Sequence, residues 1–275
     1  MIYVLSGVLS RIVSNSFLNV FQKLLTNNGN KPSVVNFYTY LGLSILSVFL
    51  TPYLNLTLSR DLITNFIIMG ILGALGNYYI IKALSIGELS SLAPINSYKP
   101  VVAMVIAFIY LKEIPSVFAI LGILLIIAGT YILHFSGKGY NKTAVFYRVL
   151  ALIFSGSEAV FIKKIILLTN IPTSFLLWAI SGLIFSFVFV FASKHTPKIP
   201  QIKYLGLLVL SVGIMQYSTN YVFSKINVSY ALALFQLSTL LSVFLGVNIF
   251  HERGLKRKII ACTVMITGAV IIIFN

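Results

Sequence analysis

Carboxylates are scarce in this chain: of 275 residues only five are Asp or Glu, against 20 Lys or Arg. Histidine occurs three times, and cysteine and tryptophan once each. A lone Cys262 excludes an intrachain disulfide and any cysteine-based metal site. His134, His195 and His251 sit at the ends of apolar runs, so no metal or acid–base cluster can be built from them, and Gly156-Ser157 has no base nearby. No Walker-type glycine loop is present, so neither nucleotide hydrolysis nor a cofactor is expected, and an enzyme is disfavoured. Charged residues make up 9% of the chain, where a soluble domain carries about 25%. The N-terminus lacks the basic region and small-residue cleavage site of a signal peptide, so the first apolar run is expected to be retained.

What the chain has instead is apolar sequence almost end to end. Hydrophobic residues make up 59%, and the mean hydropathy is +0.99. A bilayer core takes roughly 20 apolar residues in helical form. Ten such runs are read, at 2–24, 34–52, 62–84, 89–111, 116–135, 145–168, 173–192, 203–224, 227–250 and 256–274. The expected fold is therefore an all-α membrane protein. The net charge of +15 does not point to nucleic acid, because the basic residues lie mainly between or at the ends of the runs, where they meet lipid headgroups.

The segment from Asn77 to Phe135 is echoed by Gln216 to Phe274 at an offset of 139 residues. Glu113 falls on Glu252, Gly129 on Gly268 and Phe135 on Phe274 without a gap. Upstream, Ser14-Asn15-Ser16 resembles Ser155-Gly156-Ser157 at 141, while Pro32 matches Pro172 and Gly42 matches Gly182 at 140. Each half, 1–136 and 144–275, thus carries five runs. Five is odd, so the second half must begin on the opposite side of the membrane. That is an inverted-topology repeat, an arrangement found in secondary transporters. Duplication alone also fits a channel or an inert scaffold.

From Gly76 to Ile132 the residues resemble the EamA-type half-unit of the drug/metabolite transporter superfamily. The resemblance rests on Ala83, Pro94, Lys99-Pro100, the helix end Tyr110-Leu111-Lys112-Glu113, Gly122 and Gly129. The second half keeps Gly246, His251-Glu252 and Gly268, but has Ala233 and Thr239 in place of both prolines. Together the halves cover nearly the whole chain. The resemblance implies movement of small metabolites, often amino acids, outward or by exchange and without ATP.

Ionisable groups inside a membrane are costly and default to functional candidates. Glu158 alone among the carboxylates lies near the middle of a run, suited to taking up and releasing a proton; a structural ion pair with a lysine is the competing reading. The first half has Phe17 at the equivalent place. Lys99 lies near the centre of the fourth run, just before Pro100, with Asn96 on the same helical face. It suits an anionic substrate, as the resemblance to sugar-phosphate carriers implies, or an ion pair with Glu158. A polar stripe on the eighth run holds Gln216, Tyr217 and Asn220, matched on the third by Asn77 and Tyr78. Asn15, with Arg11, Asn19 and Gln22, lines one face of the first run. Such groups can bind a polar solute or act as interhelical glue worth about 0.6 kcal/mol each. Trp178 is expected to face lipid. Glu113 and Glu252, placed at opposite faces by the inversion, are read as helix-end anchors. Small residues in the fifth and tenth runs serve either packing between the repeats or a dimer surface, so monomer and homodimer both remain open.

Charge does not settle orientation. The loops after runs 1, 3, 5, 7 and 9 hold most of the basic residues, including Lys142, Arg253, Lys256, Arg257 and Lys258. The positive-inside rule makes that side cytoplasmic and puts both termini outside, whereas the family resemblance implies the reverse. The expected protein is a secondary transporter of a small polar metabolite in the cell membrane, with a non-transporting scaffold as the rival.

Overall fold

Among the described residues, ten α-helices of eight residues or more carry the fold. They are α1 (Ile2–Asn27), α2 (Pro32–Ser47), α3 (Arg60–Ile86), α4 (Lys99–Leu111), α5 (Val117–His134), α6 (Lys142–Leu168), α7 (Ile171–Ala192), α8 (Ile202–Phe223), α9 (Val228–Phe235) and α10 (Leu255–Phe274). The computed structural model describes residues 2–86, 92, 95–134, 141–192, 199–238, 241 and 255–274, and no strand occurs among them. Glu88, Pro94, His195, Thr239, Gly246, His251 and Glu252 lie outside the described residues. Among the described residues, five helical stretches are long and apolar enough to cross a membrane: Tyr3–Gln22, Pro32–Tyr53, Arg60–Ile80, Lys142–Leu168 and Ile171–Phe191. Lys99–Leu111, Val117–Ile132 and Ile260–Phe274 are shorter apolar helices.

The helix ends follow from local chemistry. Pro32 occupies the first turn of α2, where its missing N–H costs nothing, and a six-residue 3₁₀ turn, Val48–Tyr53, extends that helix. Ser59 Oγ accepts from Leu62 N, and Ser116 Oγ from Ala119 N, capping α3 and α5. Asn141 Oδ1 accepts from both Thr143 N and Ala144 N at the start of α6, while its Nδ2 donates to Ile86 O at the end of α3. One side chain thus satisfies orphan groups on two helices.

The chain gathers into two compact units, and neither is a sequence half. One comprises Ile2–Ile71 with Phe161–Ser224, the other Leu72–Val160 with Lys225–Asn275 and Met1. The helices α3 and α6 each run from one unit into the other, dividing at Ile71–Leu72 and Val160–Phe161.

In the first unit α1 lies along α8 and α2 along α7. A Cβ on Gly7 would meet Val222 at 2.9 Å, and Ser218 Oγ donates to Ser10 Oγ at 3.0 Å, so α1 and α8 run antiparallel. The ring of Tyr40 fills the space over Gly182, and Phe37 packs on Phe187 at 6.2 Å between centroids. Trp178 does not face lipid. It is 8% exposed and packs against Tyr40 at 5.1 Å and Phe175 at 6.5 Å, because three aromatic rings fill the α2–α7 interface better than one ring against acyl chains.

In the second unit α5 lies along α10 and α4 along α9. A Cβ on Gly122 would fall 2.7 Å from Gly268 O, and one on Gly129 would fall 2.9 Å from Ala261 O. The small residues therefore bring repeat-equivalent helices into backbone contact, which is how helices gain packing energy where lipid removes the hydrophobic drive. These contacts also exchange under the 139-residue offset: Gly122 maps to Ala261 and Gly129 to Gly268. Two repeat-equivalent pairs, α2·α7 and α5·α10, pack on each other, α4 after the break of the fourth run packs on α9 before the break of the ninth, and the Gly122–Gly268 and Gly129–Ala261 contacts make α5 and α10 antiparallel.

The fourth and ninth runs differ from the sequence expectation, since neither is one continuous helix. The chain is helical at Ile95–Asn96, turns at Ser97–Tyr98 and resumes as α4. In the second copy, α9 ends at Phe235 and turns at Gln236–Leu237, with helix again at Ser238 and Leu241. Tyr98 N donates to Ile95 O at 3.2 Å and Leu237 N to Leu234 O at 3.0 Å, both bonds of the tighter i to i−3 kind. Donors and acceptors alike are related by the 139-residue offset.

Candidate functional site

Polar side chains gather at each break. Ser97 is fully buried, and Gln236 and Ser238 are nearly so. Pro100 lies in the first turn of α4 and cannot donate to the carbonyl of Asn96, a gap the turn accommodates. Lys99 therefore opens α4 rather than standing inside it, at the centre of the fourth run where the sequence places it. The reason is the turn itself: Val101 N and Val102 N both bond back to Tyr98 O, so helical hydrogen bonding restarts there. Lys99 is half-buried and Asn96, on the near side of the turn, is half-buried too.

Glu158 lies on α6, half-buried, in the same unit as Lys99. Its helix touches two neighbours close by. A Cβ on Gly156 would meet Val102 at 3.0 Å and Lys99 O at 3.5 Å, so α6 crosses the opening of α4. A Cβ on Gly73 would fall 2.7 Å from Glu158 Oε1, and one on Gly76 would lie 3.3 Å from Ser155 N, so α6 also crosses α3. Further along α3, Asn77 and Tyr78 are exposed. Tyr78 meets Tyr79 edge-on at 5.2 Å, and the Lys82 ammonium stands over the rings of Tyr78 at 5.6 Å and Tyr147 at 4.5 Å.

The remaining predicted residues belong to the other unit. Gln216 and Asn220 are buried on α8, and Gln216 Nε2 donates to Asn220 Oδ1 at 2.9 Å. That bond fixes the Asn220 amide, whose Nδ2 is buried with no hydrogen-bond partner among the described residues. Tyr217 is 39% exposed and meets Phe175 edge-on at 6.0 Å. Asn15 is half-buried on α1 and Gln22 exposed, while the side chain of Asn19 lies outside the described residues. The predicted set thus divides, with Asn77, Tyr78, Asn96, Lys99 and Glu158 in one unit and Asn15, Gln216, Tyr217 and Asn220 in the other.

One group was not singled out from the sequence, and another has an unexpected partner. Arg148 reads as a basic residue near the start of a run, yet α6 begins earlier, at Lys142, and Arg148 is 8% exposed with Nε lacking a hydrogen-bond partner among the described residues. The signal available was its helical face, shared with Ser155 and Glu158. Glu113 is a helix-end anchor as read, but its partner is a backbone: Oε2 accepts from Val228 N at 2.9 Å, capping α9. Lys112, at φ 58°, turns the chain so that the carboxylate arrives there, and Tyr230 Oη accepts from Ser116 N alongside.

Known proteins agree with this architecture. The sequence model of the EamA-like transporter family matches residues 2–135 and again residues 142–274. No curated protein matches the chain. A solved structure titled only as the crystal structure of a protein covers 98% of this chain and 98% of its own, at a TM-score of 0.77 and 14% identity, a likeness of fold alone. With both halves matched and apolar helices long enough to cross a bilayer, this is an integral membrane protein, and the chain belongs to the EamA-like transporter family of the drug/metabolite transporter superfamily.

Proposed function

We propose that the protein is a secondary active transporter of a small polar metabolite in the cell membrane, an amino acid or related solute, moved by export or exchange through alternating access. In this reading ten helices cross the membrane as two inverted five-helix repeats. The antiparallel packing of the repeat-equivalent helices α5 and α10 supports the inversion. The observation that carries the function is the pair of helix breaks at Ser97–Tyr98 and Gln236–Leu237. Discontinuous helices are tolerated at membrane depth only where they face protein or a water-filled cavity, and transporters use them to hold polar substrate and coupling groups. A scaffold needs no such breaks, and nothing in its role would reproduce one in both copies.

Lys99 and Glu158 supply charge in this reading. Asn15, Asn77, Tyr78, Asn96, Gln216, Tyr217 and Asn220 supply hydrogen bonds, and Glu158 carries the proton if transport is proton-coupled. The test is counterflow in proteoliposomes of the purified full-length protein, with labelled amino acids, phosphorylated sugars and other small polar metabolites on the panel. Accumulation of at least one amino acid or related solute, abolished by Lys99→Ala, is expected. Counterflow of none of them removes the transporter reading.

A further inference from the structure

The contact between Gly73 and Glu158 has a counterpart elsewhere in the molecule, and the counterpart is apolar. Under the repeat offsets, Gly73 on α3 corresponds to Val212 on α8, and Glu158 on α6 to Phe17 on α1. The α1–α8 register set by Gly7 with Val222 and Ser10 with Ser218 places Phe17 and Val212 at the same level, as Glu158 and Gly73 are. The equivalent positions are thus Val and Phe on one pair of helices and Gly and Glu on the other.

A helical glycine in a membrane usually admits another helix's backbone, as Gly122 does for Gly268. Gly73 admits a carboxylate. The three atoms nearest a Cβ placed there all belong to Glu158: Oε1 at 2.7 Å, the carboxyl carbon at 3.1 Å and Oε2 at 3.6 Å. No side chain larger than hydrogen leaves the oxygen where it is. The seat also lies two residues inside the points where α3 and α6 pass from one compact unit to the other.

We infer that Gly73 is a positioning residue whose missing side chain seats the Glu158 carboxylate, and that the seat sets the pH at which Glu158 exchanges its proton. The inference rests on the reading of Glu158 as the coupling group. Among the described residues, the ionisable groups within about three turns of the seat are Tyr78, Tyr79 and Lys82 on α3 and Tyr98 and Lys99 at the opening of α4. On α6 itself they are Tyr147, Arg148, Lys163 and Lys164. An added methyl at position 73 pushes the oxygen from 2.7 Å to at least the 3.4 Å of ordinary contact and so changes its distance to each of these groups. Because the displaced atom is the end of a flexible side chain, Gly73→Ala is expected to fold.

The seat can be read without any substrate. The full-length protein in phosphatidylcholine liposomes is titrated by infrared spectroscopy, following the carbonyl stretch of a protonated carboxylic acid, and Glu158→Gln identifies which part of the band belongs to Glu158. Gly73→Ala should shift the midpoint of that component by about one pH unit or more. Adding Glu158→Asp to Gly73→Ala, which shortens the acid by one methylene, should return it toward the wild-type value. Val212→Gly, at the apolar counterpart, should leave it unchanged. A midpoint identical in Gly73→Ala and wild type overturns the seat. In the proteoliposomes, Gly73→Ala should lower transport by up to about 100-fold, as a catalytic group displaced by about 1 Å does. A pH profile of transport that survives Glu158→Gln while the infrared shift stands overturns the coupling role and leaves the seat.

Discussion

The broken helices of the fourth and ninth runs make the same turn from different residues. The first copy has Pro100 just past its turn, a residue that explains a break by itself. The second has Thr239 at the equivalent position and still turns, at Gln236–Leu237, with the same hydrogen bond one repeat along. Proline is therefore not what makes the break. What the copies share is a buried polar side chain at the turn, Ser97 in one and Gln236 in the other. The asymmetry expected from the missing prolines is thus absent from the backbone. It resides in the side chains, in Lys99 and in Glu158 against Gly73.

That comparison can be broken or sharpened by substitution. The largest effect should come from the α5–α10 contact that holds the two copies together: Gly122→Val places its side chain into Gly268 O and should cost about 3 kcal/mol. Thermal unfolding of the purified protein in detergent reads it, with Gly206→Ala, where nothing lies within 4 Å, as the neutral control. Equal melting temperatures for the two variants would contradict the packing described. Next is Glu113→Ala, which strands Val228 N at the start of α9 and should cost about 2 kcal/mol. Loss of stability should also make α9 amides exchange hydrogen faster, and unchanged exchange would remove the cap. Lys112→Gly relieves the left-handed backbone at φ 58° and should stabilise by about 1 kcal/mol; a lower melting point would mean that the lysine side chain outweighs the strain. The smallest effect is the most telling. Pro100→Thr copies the second repeat's residue into the first and should change stability by less than about 1 kcal/mol with the turn intact. A gain in helicity, or faster protection of the amides at 97–98, would return the break to proline.

Much of this was legible in the residues. The ten runs, the 139-residue offset and the family followed from hydrophobic length and repetition, because a bilayer demands long apolar helices whatever surrounds them. The small residues of α5 and α10 were visible too, but whether they met a repeat mate or a second molecule was not, since either partner asks for the same side chains. Trp178 was misplaced for a related reason: an aromatic ring is equally apolar against lipid and against Tyr40. The place of Lys99 at the middle of the fourth run was legible, but the exact turn before it was not, because hydropathy runs unbroken through Ser97–Tyr98 and a turn satisfied by two i to i−3 bonds leaves no mark on it.

By itself, then, the sequence determined the solvent of this protein, its duplicated plan and which few charges had to be accounted for. Those are consequences of composition and period, which act residue by residue. Only the tertiary structure decided that the compact units mix helices from both halves, that α4 and α9 break at equivalent points, and that Glu158 rests on the bare backbone of Gly73. Those depend on which helix lies against which, and a contact between residues 85 positions apart leaves no local trace in the chain.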